Sequence, residues 1–342
     1  MIDIDKVVIS QELLMDISAI EAFRGRFSTL NIESYYLVLL RAQARISGTA
    51  ASIRIEGNQL KDYEVERVLS GISSSTYKEK DVLEARGYAD ALDYINEQYE
   101  VLELNETNIK KLHSMIVEKH ETEYRIGVKP KQNIHSDEPD VMNVSAKEIP
   151  ILTIELLDRT AALIKSRSHH PLLVIALFLA HFLTINPFEE GNGRLSRLLS
   201  SLLLQKTGYS FISYYSFESI IEESRKTYLY SLKRTQQSFS EEVDYSSWIN
   251  YFIKTMLKVC TKLEAKIEKE VAKNTRKIEL SPIENDIAST IKGRGIIYTS
   301  QLLEALPQYK APTIKKALSE LVKMDIIELL GKGRGSYYRM KS

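Results

Sequence analysis

Apolar residues recur three and four positions apart over most of this chain, and glycine and proline, which break that rhythm, are scarce at 14 and 8. Such spacing lines one face of a 3.6-residue period, so the pattern predicts a mainly α-helical protein. Helices are expected at Ser34–Arg45, Asp62–Leu69, Val82–Tyr99 and Thr107–Lys119, the last capped by Asn105. Others follow at Ile151–Lys165, Pro171–Thr184, Arg194–Thr207, Ser216–Gln236 and Tyr245–Lys273. Tyr124–Pro150 departs from the rhythm. It is rich in turn formers and β-branched residues, which predicts a hairpin or a long loop.

A separate pattern begins after Lys277, beyond a highly charged stretch over Lys254–Lys277 that reads as a solvated connecting helix. Ser281-Pro282, a cap followed by a first-turn proline, opens a helix over Pro282–Ile291. A short strand at Gly295–Tyr298 and helices at Ser300–Leu306 and Ala311–Met324 come next. Ile326–Leu330 and Ser336–Met340 then form a hairpin about a glycine turn at Gly331–Gly335. Three helices and a hairpin in this order resemble a winged helix-turn-helix. From Pro282 to Ser342 ten Lys and Arg stand against six Asp and Glu, a net +4. In DNA-binding members the third helix enters the major groove and the wing touches phosphate, which makes Thr313, Lys315, Lys316, Lys332 and Arg334 the candidate DNA contacts. A charge of +4 supports few phosphate contacts, and small winged domains also bind proteins.

Bulk properties narrow the classes. At 342 residues the chain is long for one core, so two or three domains are expected. Lys and Arg balance Asp and Glu at 46 each, so no global field draws the whole molecule onto nucleic acid or membrane. The single cysteine, Cys260, excludes an internal disulfide and reads as core packing. The start MIDIDKVVIS lacks the basic and apolar regions of a signal peptide, and the longest apolar run, Pro171–Leu183, is too short to span a bilayer. A cytoplasmic protein without membrane association is expected.

The chemistry is concentrated in Ile185–Arg197, INPFEEGNGRLSR. An apolar helix ends before a proline, a loop with two glycines follows, and a new helix starts near Arg194 with Arg194 and Arg197 one turn apart. A glycine loop feeding a helix N-terminus brings backbone N–H groups and the positive end of the dipole to an anion. Two arginines there repel the dipole unless an anion sits between them. Glu190 beside a phosphate site is a natural Mg²⁺ ligand. GNG alone is a common turn, whereas the whole run from Pro187 to Arg197 supports a nucleotide-phosphate site.

That run resembles the Fic signature HPFx[DE]GNGRxxR at every defined position except the first, where Asn186 stands for histidine. The resemblance implies a Fic-type helical bundle with a β-hairpin flap, here Gln132–Val144, that pairs with the backbone of a target protein. It implies that Gly191, Asn192 and Gly193 form the anion-holding loop, that Glu190 holds Mg²⁺ on ATP, and that Arg194 and Arg197 contact the β- and γ-phosphates. Phe188 becomes a packing anchor. Tyr228 is similar to the first tyrosine of the family's YYxAL element at the adenine pocket, the second being Leu229 here. Upstream, Ser52-Ile53-Arg54-Ile55-Glu56-Gly57 resembles the inhibitory pattern [ST]xxxE[GN], with Ser52 and Glu56 at its ends. A glutamate so placed can pair with Arg197 and withhold it from the nucleotide. The same six residues are otherwise a helix ending in a glycine cap. The implied division is an N-terminal helical region with the inhibitory motif at 1–105, a Fic core at 106–245, a connecting helix at 246–280 and a winged helix domain at 281–342.

In the family the first motif residue is the base that deprotonates the target Ser, Thr or Tyr hydroxyl. Asn186 can hydrogen-bond that hydroxyl but cannot take its proton. The expectation is a protein adenylyltransferase using ATP and Mg²⁺, autoinhibited by Glu56 and impaired at Asn186. Its partners are a target protein with a hydroxyl side chain, itself included, and DNA through the C-terminal domain; a homodimer is compatible. Two other classes stand beside it: a DNA-associated regulator whose degenerate core only binds nucleotide, and a core that transfers another phosphate-linked group. His181, five positions before Asn186, projects from another part of its helix and reads as structural. His113, His135, His169 and His170 reach the site only if the fold brings them there, and no histidine pair has zinc spacing.

Overall fold

A computed structural model describes residues 2–30, 32, 34–72, 77–126, 145–239, 242–275, 280–324, 326–331 and 336–341. The chain divides into two compact units, 1–267 and 268–342. In the first, α1 (Gln11–Thr29), α2 (Ser34–Ile55), α3 (Asp62–Leu69), α4 (Glu79–Gln98) and α5 (Glu106–Val117) precede α6 (Ile149–Ser166), α7 (Pro171–Ile185) and α8 (Asn192–Lys206). Then come α9 (Phe217–Glu223), α10 (Arg225–Ser238) and α11 (Ser246–Thr275), the last reaching into the second unit. Helices before and after the 106–245 segment share one hydrophobic core with it.

The axis of that core is α7, apolar all round and buried from Leu172 to Phe182. Each of its leucine, isoleucine and phenylalanine side chains contributes roughly 1.5–3 kcal/mol by leaving water. α6 and α8 pack against it, and Trp248 of α11 donates its indole N–H to the Ala176 carbonyl at 2.7 Å. The one ionisable group on α7, His181, is stacked on Phe239 and its Nε2 lies 2.9 Å from the Tyr245 hydroxyl. It therefore has a structural partner. Burial pushes its pKa down to about 3, so the folded chain holds it neutral. Because the folded value lies below the ordinary 6.5, this stability is present above pH 6.5 and is lost as pH falls from there. Denaturant unfolding is expected to show a loss on the order of 3 kcal/mol between pH 6.5 and pH 4 from this group. In His181→Gln the pH slope over that window should flatten by up to one proton; an unchanged slope overturns the assignment.

Three departures from the sequence pattern have local causes. Helix α1 was not expected, since exposed Leu14 and Met15 interrupt the stripe of Leu13, Ile17, Ile20 and Phe23 that it buries. Helix α2 continues ten residues past Arg45 because Gly48–Ala51 are small enough to lie against neighbouring helices. The helix expected over Ser216–Gln236 is two, broken at Ser224, whose hydroxyl turns back to the Ile220 carbonyl at 2.7 Å. The hairpin expected within Tyr124–Pro150 lies outside the described residues over 127–144.

The second unit contains α12 (Pro282–Arg294), β1 (Ile296–Tyr298), α13 (Thr299–Ala305), α14 (Ala311–Lys323), β2 (Ile327–Leu330) and β3 (Tyr337–Met340). Its antiparallel sheet has the order β1-β3-β2. Ser281 and Glu284 form a capping box with Pro282 at the first helical position, as the sequence indicates. Ile287, Ile291, Ile297, Leu302, Ile314, Leu318, Leu321 and Ile327 close a core of its own. Among the described residues no helix is long and apolar enough to cross a membrane.

Candidate functional site

The site is built where the ends of α2, α7 and α8 meet. Helix α7 stops at Ile185 because Asn186 takes the left-handed conformation (φ 50, ψ 65) before Pro187, and its N–H bonds the Phe182 carbonyl at 2.8 Å. Asparagine tolerates that conformation better than most residues. The loop then passes through Phe188, which is fully buried and stacked on His113 with ring centroids 3.8 Å apart. Gly191, at φ 77, caps α8.

Asn192 is the staple of this turn. Its side-chain oxygen accepts from the Phe188 N–H at 2.9 Å and its amide donates to the Phe188 carbonyl at 2.7 Å. The side chain is thus committed to the loop itself, and what remains for an anion is backbone. His113 Nε2 lies 2.8 Å from the Glu190 carbonyl; that oxygen only accepts, so Nε2 carries the proton. Burial lowers the His113 pKa to about 4 and keeps the ring neutral. Arg125, 3% exposed, donates from Nε to the Asn186 carbonyl at 3.0 Å, while its N–H bonds the Pro187 carbonyl at 2.9 Å. The loop is therefore held from three sides independently of the Asn186 side chain.

Glu56 approaches from α2. Gly57 at φ 102 ends that helix with paired bonds, Asn58 N–H to the Ile53 carbonyl and Gly57 N–H to the Arg54 carbonyl. This leaves a carboxylate at the negative end of a helix and, across the gap, Arg194 and Arg197 near the positive end of α8. Each arrangement is unfavourable alone, by about 0.3–1 kcal/mol per charge. Together they cancel. Glu56 Oε1 accepts from Arg197 Nη2 at 2.8 Å, and Gly193 lets the carboxylate rest against the start of α8, where any β-carbon would collide with it. Arg197 is 2% exposed and donates also to the Ser52 hydroxyl (Nε, 2.8 Å) and carbonyl (Nη2, 2.9 Å). The α2 end is itself clamped. Arg54 donates to both Glu222 oxygens at 2.6 and 2.8 Å, to Asp62 at 2.9 Å and to the Leu60 carbonyl at 3.0 Å.

Arg194, 5% exposed, donates to the Ile116 carbonyl at 3.2 Å and sits 3.7 Å from Glu84. Its Nε, and Nη1 of Arg197, have no hydrogen-bond acceptor of good geometry among the described residues. Orphaned donors on buried cations fit an anion that has yet to arrive. Glu190 is half-exposed and pairs with Lys119 at 3.3 Å. Among the described residues no group of three His, Cys, Asp or Glu is arranged to hold a metal. One solvent-facing carboxylate suits Mg²⁺, which draws most of its ligands from phosphate and water. Tyr228 is buried, its ring against Trp248 and Tyr251 and its phenol beside Arg197, and burial pushes it up to about 12.

The fold thus gathers Ser52, Glu56, Gly193, Arg197 and Tyr228 around one guanidinium, with Asn186, Glu190, Gly191, Asn192 and Arg194 along the adjoining loop. His113 and Arg125 were not legible as loop supports: one is an ordinary helical position, the other a lone charge in an irregular stretch. In the second unit Thr313, Lys315 and Lys316 are exposed on α14; Lys332 and Arg334 lie outside the described residues, as does the flap at Gln132–Val144.

Residues 103–204 match the sequence model of the Fic/DOC family. No curated protein matches the chain. Among solved structures, a Fic family protein from Desulfovibrio desulfuricans G20 is similar at TM-score 0.64 and 20% identity, covering 98% of both chains. A Fic domain containing signaling protein from Bacteroides thetaiotaomicron VPI-5482 is similar at TM-score 0.58 and 19% identity, over 73% of this chain and 94% of that one. Fic-1 from C. elegans (residues 134–508) is similar at TM-score 0.58 and 18% identity, over 75% of this chain and 73% of that one. These likenesses concern the fold.

Proposed function

The chain carries a Fic/DOC family domain at residues 103–204, and from that premise we propose that it is a protein adenylyltransferase. It moves AMP from ATP to a Ser, Thr or Tyr hydroxyl of a target protein, is held off by Glu56, and is slowed by Asn186. One observation carries this reading. The Glu56 carboxylate rests against the start of α8 at Gly193 and accepts from Arg197, as the phosphate of a nucleotide would. Such a site suits the phosphate tail of a nucleotide once the carboxylate leaves.

In this reading the α8 N-terminus and Arg194 and Arg197 receive the phosphates, and Glu190 holds Mg²⁺. The ion supplies neutralisation of phosphate charge when bound. Phe188, His113, Asn192 and Arg125 fix the loop so that the Asn186 side chain is presented beside the acceptor hydroxyl. The amide can orient that hydroxyl by a hydrogen bond but offers no proton acceptor of useful basicity. The test uses the full chain carrying Asn186→His and Glu56→Gly with Mg·ATP labelled at the α- or the γ-phosphate. Protein-bound label from the α-position alone is expected; label from the γ-position alone means phosphoryl transfer and overturns the reading.

A second reading, DNA binding, draws on the second unit, where Thr313, Lys315 and Lys316 all face solvent on α14. Each lysine on a phosphate steepens the salt dependence of binding by about 0.9 in log–log slope. Removing both in Lys315→Ala/Lys316→Ala should therefore lower the slope for a mixed-sequence duplex by roughly two. Unchanged slope, or no binding by the full chain at about 50 mM salt, sinks this reading.

A further inference from the structure

Behind the pair of Glu56 and Arg197 lies a second buried carboxylate, reached through two hydroxyls. Arg197 Nε donates to the Ser52 hydroxyl at 2.8 Å. The Tyr88 phenol stands beside Ser52, and its O–H donates to Glu218 Oε1 at 2.8 Å. Ser216 donates to the other Glu218 oxygen at 3.0 Å. The chain links α8, α2, α4 and α9, and its members are sealed from solvent: Ser52 and Tyr88 at 0% and Glu218 at 5% exposure. Gly48 makes room for it, since a β-carbon there would stand 3.0 Å from Glu218 Oε2 and 3.3 Å from Ser216 Oγ.

Each hydroxyl has one proton, so the chain has a direction. With the cation at one end and the carboxylate at the other, Ser52 accepts from Arg197 and the Tyr88 O–H points toward Glu218, so the hydroxyl dipoles align with the field between them. A guanidinium as buried as Arg197 needs a counter-charge in every state of the site. Glu56 supplies one only while it occupies the phosphate position. Glu218 lies behind Ser52 and Tyr88 on the Nε side, which leaves Nη1 and the Nη2 proton now on Glu56 facing the start of α8.

We infer that Tyr88 and Glu218, through Ser52, are positioning residues that orient the Arg197 guanidinium toward the phosphate tail whether or not Glu56 is engaged. The inference rests on the nucleotide reading above. It makes Ser52, placed by resemblance in an inhibitory motif, also part of the machinery that readies the arginine after inhibition ends.

The test is made in the full chain with Glu56→Gly, comparing Mg·ATP with AMP by calorimetry. Tyr88→Phe removes one hydrogen bond and keeps the ring; it should weaken Mg·ATP about tenfold, the size of one charge-assisted bond, and leave AMP within twofold. Glu218→Gln, which keeps the shape and removes the charge, should act in the same direction and serves if the tyrosine variant does not fold. Equal weakening of ATP and AMP, or none of either, overturns the inference. A second readout is independent of nucleotide: the Arg197 Nε–H resonance, identified by its loss in Arg197→Lys, should exchange slowly in Glu56→Gly and rapidly once Tyr88→Phe is added. If Glu56→Gly binds no ATP, the nucleotide reading fails, and the resonance alone decides whether the network positions Arg197.

Discussion

Replacing Asn186 by histidine is expected to raise the single-turnover rate of AMP transfer by about 10²–10⁴-fold, equivalent to about 3–5 kcal/mol of barrier. The gain comes from one change. A neutral imidazole accepts the hydroxyl proton as the oxygen attacks the α-phosphate, whereas an amide cannot. The backbone favours a clean exchange, because the left-handed conformation at this position (φ 50, ψ 65) is open to histidine as well as asparagine. Arg125 holds the Asn186 carbonyl rather than its side chain, and Asn192 and His113 hold the rest of the turn. Nothing that shapes the loop is lost. Equal rates for Asn186→His and the unchanged chain, measured with Glu56→Gly present in both, would show that the loop does not deliver a base to this chemistry.

Glu56→Gly should have two opposite effects. Without nucleotide it strips the exposed-side counter-charge from a guanidinium that is 2% accessible, so the melting temperature falls. With Mg·ATP it frees the anion site of its competitor. A charge-assisted contact of about 1.5–3 kcal/mol corresponds to roughly 10–150-fold in apparent affinity. Saturating ATP should then restore the lost stability by the logarithm of its excess over Kd, an effect much smaller in the unchanged chain. A variant that melts lower and is not rescued by ATP would mean that Glu56 serves only to neutralise a buried arginine.

Much of this was readable from residue order. Helical periodicity gave the mainly α architecture, and Ser281-Pro282 marked the start of α12 within the second unit, because both signals are local. The glycine loop and paired arginines indicated an anion site, and the dipole argument required some anion near Arg197. That the anion is Glu56, 141 residues upstream, was legible only through the resemblance of its short pattern. Residues that support the site from other helices were not legible. His113, Arg125, Tyr88 and Glu218 stand in unremarkable contexts, and their roles arise from packing between segments 60 to 130 residues apart in the chain. Helix α1 escaped for a different reason, since apolar residues on its solvent face blur the stripe it buries.

The clamp on Arg54 bears on how the Glu56 carboxylate can leave Arg197 under the function proposed above. With four hydrogen bonds tying the last turn of α2 to Glu222, Asp62 and the Leu60 carbonyl, swinging the whole helix aside means breaking a multi-point anchorage. Rotating the Glu56 side chain about its own torsions breaks a single contact to Arg197. The cheaper route leaves the backbone where it stands. Glu56 then behaves as a turnstile arm on a fixed post, opening at side-chain speed, on the picosecond-to-nanosecond scale of rotamer motion once the ion pair parts.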